Sequence, residues 1–449
     1  MHIKTLTISV AIAKFIAFAS ADVNISTYYQ SLESKIDPKN ATVPSIEQTT
    51  SLDPSVECKD YTPDSSLIAI NRSEFPESWS IATSNGRADS AEFTSLYNSI
   101  DWTKAPNISV RTIKSNGDLN DSGYDYDTDP DCWWSATTCT VPKLADVNPD
   151  IYKCDEPETW GLTYDDGPNC SHNAFYDYLQ QNNLKASMFY IGSNVLDLPY
   201  GALRGIADGH HIASHTWSHP YMTTLTNKEV LAELYYTQKA IKLATGITPR
   251  YWRPPYGDVD DRVRWVATQL GMTAIIWNYD TDDWAADDGS TPAAVEKTYE
   301  QFIEMGSNGT FADSGNIVLT HEIDNITMSL ALEFLPKIKA SYKNVLDVAT
   351  CANITRPYFE DFEWTSVING TGASNTASVA NATSTVVVAA TSSVADTSST
   401  AEATSTTTTG DASSTGLVAA AQVQQVANNA HLNTPSLALA AGFIVSLIF

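Results

Sequence analysis

The sequence predicts an α/β fold, a (β/α) barrel preceded by an irregular N-terminal region and followed by a disordered Ser/Thr-rich stalk. From about 155 to 350, short apolar runs alternate with helix-like stretches, the pattern of βα units and a mostly parallel sheet. Polar residues gather directly after five of the six runs, in the same phase. Residues 371 to about 416 hold Ser, Thr, Ala and Val with almost no aromatics, a composition that cannot bury a core. The alternation by itself leaves a closed barrel and a doubly wound sheet open. Polar clusters at the C-terminal ends of several strands are how barrel enzymes build their sites.

The runs with strand character are Trp160 to Tyr164, Ala186 to Ile191, His211 to Ser214, Tyr251-Trp252, Thr273 to Trp277 and Ile317 to Thr320. Helix-like stretches lie between them: Asn173 to Leu184, Asn227 to Thr245, Asp261 to Leu270, Ala293 to Met305 and Ser329 to Tyr342. The second is the most sharply delimited. Thr226 and Glu229 have capping-box spacing, Val230, Leu234 and Ile241 share a face, and Gly246 follows the end. Residues 22–154 contain Ser, Asn, Asp and Pro clusters, yet Trp79, Trp102, Trp133 and Trp134 indicate an ordered region of open role. Trp133-Trp134 could stack on a sugar; packed tryptophan is the favoured reading.

Composition narrows the compartment. A net charge of -27 lacks the basic face that nucleic-acid binding requires. Residues 1–21 read as a secretory signal: His2 and Lys4, an apolar stretch to Phe18, and the small residues Ala19-Ser20-Ala21. Asn-X-Ser/Thr sequons at Asn24, Asn40, Asn71, Asn107, Asn120, Asn169, Asn308, Asn325, Asn353, Asn369 and Asn381 suit a glycosylated surface. Six cysteines fit an oxidising compartment, although six allow fifteen pairings. Cys132 and Cys139 are near enough to close a local loop, and a Cys154–Cys351 bridge would clasp the two ends of the barrel region. After the stalk (371–427), residues 428–449 read as a GPI-attachment signal. Asn428 is the candidate site, with Gly410 to Ser414 as a second, and the uncharged tail from Leu437 to Phe449 is short for a membrane-spanning helix. The expected location is the cell wall and outer face of the plasma membrane.

The chemistry-bearing clusters follow the runs in order. Asp165 and Asp166 come after the first, before a Gly-Pro turn. His215 and His219 follow the third, Arg253-Pro254-Pro255-Tyr256-Gly257-Asp258 the fourth, Asp280 to Trp284 the fifth, and Leu319-Thr320-His321 the last. Adjacent strand residues face different partners, so Asp165 and Asp166 can take different tasks. His215 and His219, four apart, can present both imidazoles to one side from a helical turn or helix-like loop. With a carboxylate they make a three-ligand zinc-type set with a position open to water, which strengthens the metal reading of Asp166. His172, His210 and His211 have no such partner and read as structural. Taken singly, Arg253 could be a surface ion pair, Asp283 a helix cap, and Leu319 and Trp284 core.

Together these motifs resemble the polysaccharide deacetylases, a carbohydrate esterase family with the NodB homology domain. The resemblance covers about 157 to 350, is assigned here to a domain at 155–352, and extends through the tryptophan-bearing segment to secreted fungal chitin deacetylases. Two departures are mild: Tyr164 stands where Phe is commoner, and Glu322 where Asp is usual. The resemblance implies a distorted (β/α) barrel and a metal-dependent amidohydrolase acting on chitin and chito-oligosaccharides. Asp166, His215 and His219 would bind one divalent metal ion, zinc or cobalt. Asp165 would be the proton acceptor, His321 the proton donor to the leaving amine, and the Tyr256 backbone N–H an oxyanion donor. Arg253 would hold Asp165 ionised, Asp283 would pair with His321, and Trp284 and Leu319 would wall the acetyl methyl. The motifs do not distinguish chitin from peptidoglycan or acetylated xylan. A wall glycoprotein that binds chitin without turnover is the rival from another class.

Overall fold

The structure, a computed structural model, describes residues 34–41, 68, 70–169, 173–286, 290–361 and 364. The chain divides into two units, 1–112 with 121–378 and 113–120 with 379–449. Of the second unit only 113–120 is described, a small loop closed by an antiparallel bridge between Ile113 and Leu119. The signal segment, the stalk, the GPI signal with Asn428, and the sequons at Asn24, Asn369 and Asn381 lie outside the described residues, as do His172, Cys58 and Cys170.

The first unit is built on a parallel sheet of strands β1 (Thr159–Gly167), β2 (Ser187–Tyr190), β3 (His211–Ser214), β4 (Tyr251–Trp252), β5 (Thr273–Ala274), β6 (Tyr279–Asp280), β7 (Asn316–Leu319) and β8 (Asn344–Leu346). They run in the order β5-β4-β3-β2-β1-β7-β6, with β8 paired to the first half of β1, and every ladder is parallel. The sheet curls, and β5 and β6 end the path without pairing, so the expected distorted (β/α) barrel is present in an open form. β1 is the axis. Its first half lies between β7 and β8, and its second half joins β2. It is buried along nearly its whole length, which explains a near-continuous apolar run in place of alternation.

The helices are α1 (Ala91–Ser99), α2 (Asn173–Gln181), α3 (Gly192–Asp197), α4 (Pro199–Ala207), α5 (Asn227–Thr245), α6 (Asp261–Gln269), α7 (Pro292–Ser307) and α8 (Asn325–Ser341), with one-turn helices at Trp134–Thr137 and Val348–Cys351. In α5 the Thr226 side chain accepts from the Glu229 N–H, Glu229 accepts in return from the Thr226 N–H, and Gly246 ends the helix at φ 82°. α8 begins at Asn325, ahead of the expected Ser329, because Asp324 and Thr327 close a second capping box. α3 and α4 escape a periodicity reading because they are too short for a periodicity window and are buried on most faces. β6 and β8 are likewise two and three residues long. The expected run to Trp277 pairs in the sheet only over Thr273–Ala274; Ile275 bridges Ile151 instead.

The N-terminal segment packs on this frame. Trp133 is buried beneath the Arg111 guanidinium, whose carbon lies 3.6 Å from the ring centre, and Trp134 meets Trp277 at 4.8 Å. Cys132–Cys139 and Cys154–Cys351 are disulfides. The second joins residues 197 apart, and the Cys351 carbonyl also accepts from the N–H groups of Asp155 and Glu156 at the entry to β1. Sequon side chains at Asn40, Asn71, Asn107, Asn308, Asn325 and Asn353 are exposed. Asn120 and Asn169 are half-buried, and the Asn169 amide donates to the Ile323 carbonyl. Among the described residues no helix is long and apolar enough to cross a membrane.

Because the Cys154–Cys351 bridge closes so long a loop, Cys351→Ser is expected to lower unfolding stability by about 2–5 kcal/mol. Denaturant titration of the purified variant against the parent checks this; an unchanged midpoint contradicts it.

Candidate active site

All the catalytic candidates sit at or just beyond the C-terminal ends of strands, and the curl of the sheet brings them together. Asp165 and Asp166 lie inside β1, at its end, and not in a turn after it. The register against β2 breaks between Asp165 and Gly167, and Asp166 takes φ 73°. A bulge of this kind re-aims one side chain relative to its neighbour. The two acids therefore have different nearest partners, with Asp165 Oδ2 standing 3.7 Å from His215 Nε2 as well. Asp165 is almost fully buried, and its Oδ1 accepts from Arg253 Nη1 at 2.7 Å. Asp166 Oδ1 faces His215 Nε2 at 3.4 Å and His219 Nε2 at 3.3 Å.

His215 and His219 are not on a helix. The loop after β3 carries Thr216 at φ 66° and His219 at φ 58°, and these two left-handed residues bring the rings to 4.9 Å between centres. His215 Nδ1 lies 2.8 Å from the Arg253 carbonyl, which can only accept, so Nδ1 carries the proton and Nε2 is left to face Asp166. Burial lowers the His219 pKa to about 4 against the pull of Asp166, so that ring is neutral at physiological pH. Burial pushes the Asp166 pKa up, but His219 and then His215 outweigh it and hold the carboxyl below the usual range.

The three groups fit a metal ion. Their ligand atoms all lie within 4.8 Å of one another. Asp166 Oδ1 is buried with no hydrogen-bond donor. Ligands about 2.0–2.1 Å from a tetrahedral zinc stand about 3.3 Å apart, the spacing seen from Asp166 to each histidine. Asp129, Cys132 and Cys139 also cluster, but the two cysteines are consumed by their disulfide.

A second pair lies opposite. His321 follows β7, and Asp165 and His321 are bridged in register, with the Asp165 N–H donating to the Thr320 carbonyl. Asp283 Oδ1 is 2.7 Å from His321 Nδ1, and its Oδ2 accepts the His321 backbone N–H at 2.8 Å. Burial alone would lower the His321 pKa, but Asp283 overrides it and raises the value to about 10. At neutral pH the protein thus holds one uncharged and one charged imidazole, His219 and His321, in the same cleft. That difference suits a ligand and an acid.

Arg253 is fully buried and binds Thr163 Oγ1 at 2.9 Å as well as Asp165, with its guanidinium over the Phe189 ring. Tyr256 stands in a left-handed turn at φ 57°, half exposed, its ring stacked on Tyr221 at 4.2 Å and meeting His219 at 4.6 Å. Gly257 follows at φ 67°, where a Cβ would lie 2.2 Å from the Trp134 ring. Leu319 is buried at the end of β7, whereas Trp284 is exposed on the turn after β6. Gly167 is tighter still: a Cβ there would lie 1.5 Å from Glu322 Oε1. His210 and His211 are buried away from this cluster, hydrogen-bonded to the Ala186 N–H and Ser187 Oγ. Thr163, Asn194 (whose amide donates to the Asp166 carbonyl at 2.7 Å) and Tyr221 were not legible as site residues, since each acts through a contact that only the fold creates.

Residues 152–275 match the polysaccharide deacetylase family. A chitin deacetylase from Amylomyces rouxii is 69% identical over 378 residues, covering 84% of this chain and 89% of that protein. Chitin deacetylase 2 of Cryptococcus neoformans var. grubii is 46% identical over 327 residues, 72% of this chain and 70% of that one. The solved structure of the chitin deacetylase from Colletotrichum lindemuthianum aligns with a TM-score of 0.44 at 26% identity, covering 49% of this chain and 99% of that chain. The chain belongs to the polysaccharide deacetylase family.

Replacing Asp283 by Asn keeps one acceptor for the two His321 N–H groups, sets an NH2 against the other, and removes the charge that favours the imidazolium. The alkaline limb of the kcat/KM profile is expected to move acid-ward by about one unit or more. A pH–rate series on parent and variant checks it; an unmoved limb separates Asp283 from His321.

Proposed function

We propose that this protein is a metal-dependent chitin deacetylase, hydrolysing the N-acetyl groups of N-acetylglucosamine units to give chitosan and acetate. The observation that carries this reading is the division of Asp165 and Asp166 between an arginine and a pair of histidines. Asp166, His215 and His219 would hold the ion, with zinc favoured by the nitrogen-rich set and cobalt as the second candidate. When bound, such an ion lowers the pKa of water and polarises a carbonyl.

The chain's own groups supply the proton transfers. Asp165, held in place by Arg253, takes a proton from the water that attacks the acetamide carbon. The Tyr256 N–H, in its left-handed turn, offers a donor for the developing oxyanion. His321, charged and oriented by Asp283, gives its Nε2 proton to the sugar nitrogen as the C–N bond breaks, releasing acetate and a free amine. Leu319 and Trp284 are proposed to bound the space for the acetyl methyl.

The relatives named for chitin favour that polymer over peptidoglycan or acetylated xylan. The leader-like start, the exposed sequons and the apolar tail support a secreted glycoprotein, GPI-anchored at the outer membrane face and cell wall.

Acetate release from chito-oligosaccharides is expected to disappear on chelation and return with added zinc or cobalt, while acetylated xylan is turned over poorly. Turnover indifferent to chelator removes the metal assignment, and absence of turnover favours a binding glycoprotein. Asp165→Asn is expected to lose at least about a thousandfold in kcat while retaining its metal. Metal analysis of the purified variant checks the split; loss of the ion makes Asp165 a ligand.

A further inference from the structure

Two buried carboxylates outside the catalytic set each bind an active-site loop and the N-terminal segment at once. Glu233, on α5, is fully buried. Its Oε2 accepts the N–H groups of Trp217 and Ser218, both at 2.8 Å, in the loop between the two histidine ligands. Its Oε1 accepts Ser218 Oγ at 2.9 Å and the Ala82 N–H at 2.8 Å. Phe75 stacks on the Trp217 ring at 5.7 Å, and Trp217 Nε1 donates to the Glu77 carbonyl at 3.1 Å.

Asp258 repeats the arrangement after β4. It too is fully buried. Its Oδ1 accepts Trp133 Nε1 at 2.9 Å and Ser135 Oγ at 3.0 Å, and its Oδ2 accepts the Thr223 N–H at 2.8 Å. Trp134 fills the space over Gly257, beside Tyr256.

In both residues each oxygen faces at least one N–H that cannot accept in return. A carboxylate satisfies the site; a side-chain amide, whichever way it is turned, sets an NH2 against an N–H. Hydrophobic packing alone would not demand this. The loops so held contain left-handed Thr216, His219 and Tyr256, conformations that persist only when their surroundings over-determine them.

We propose that the N-terminal segment is a working part of the active site, with Glu233 positioning the metal-ligand loop and Asp258 positioning the Tyr256 loop. The proposal rests on the metal reading of Asp166, His215 and His219. It assigns separate consequences to the two carboxylates: Glu233 governs metal affinity and Asp258 governs engagement of substrate.

The test uses the full chain with Glu233→Gln and Asp258→Asn. Zinc affinity is measured by competition with a chromophoric chelator, kcat and KM on chito-oligosaccharides, and thermal midpoints on the chelated proteins. Glu233→Gln is expected to weaken zinc binding about 10–100-fold, with activity recovered in excess zinc. Asp258→Asn is expected to keep zinc affinity within about twofold and to lose about tenfold in kcat/KM that zinc does not restore. Trp133→Phe removes the ring N–H that Asp258 accepts. Trp217→Phe removes the ring N–H given to the Glu77 carbonyl, loosening the N-terminal segment from the metal-ligand loop while leaving the bonds of Glu233 in place. They are expected to give the same two patterns more weakly, and they decide the role of the N-terminal segment where a carboxylate variant does not fold. Parent-like zinc affinity in folded Glu233→Gln or Trp217→Phe overturns the proposal, as does loss of both readouts together in step with the thermal midpoint. If the parent protein binds no zinc, the metal reading itself falls first.

Discussion

The site depends on the break in register near the end of β1. A regular strand would send Asp165 and Asp166 to opposite faces of the sheet, one into the helical layer. The bulge and the left-handed φ of Asp166 keep both carboxylates in the same cleft while aiming them at different partners. Aspartate tolerates that conformation better than most residues, so the strain is modest and the neighbours can hold it. Asn194 does part of this by binding the Asp166 carbonyl from α3. Without the bulge the two acids would be ordinary strand residues.

Around this point charges are buried in matched sets. Arg253 and Asp165 are each almost wholly inaccessible, and removing one partner from such a pair leaves an uncompensated charge costing about 3–5 kcal/mol. Asp283 and His321 form a second set, in which the carboxylate satisfies both the ring and the backbone N–H. These pairs are poor investments in stability alone. Their value is in orientation: Arg253 fixes Asp165 on one side of the cleft, and Asp283 fixes the His321 ring on the other.

Much of this was legible in the sequence because the chemistry follows the strand pattern. His211 to Ser214, Tyr251-Trp252 and the whole of α5 have the expected bounds, since each ends on a strong local signal such as Gly246 or the Thr226–Glu229 box. The polar clusters were readable by their phase. Of the helical turn and the helix-like loop expected to carry His215 and His219, the chain uses a loop, in which two left-handed residues bring the rings together. β6, β8, α3 and α4 were not readable because pairing and burial, not propensity, define them. The N-terminal tryptophans showed order but not purpose. The purpose appears only when Trp133 is seen bound to Asp258, 125 residues away.

Gly167 and Glu322 have a consequence for how this chain can vary. The Glu322 carboxylate occupies the space that a Cβ at position 167 would need. Glu322 also accepts from the Tyr176 hydroxyl at 3.1 Å, and its N–H donates to the Asp165 carbonyl, so it is not free to swing aside. The two positions form one steric unit spanning the first and last motifs. A side chain gained at 167 displaces the Glu322 carboxylate from Tyr176 unless a shorter residue already stands at 322, so volume couples the two positions independently of catalysis.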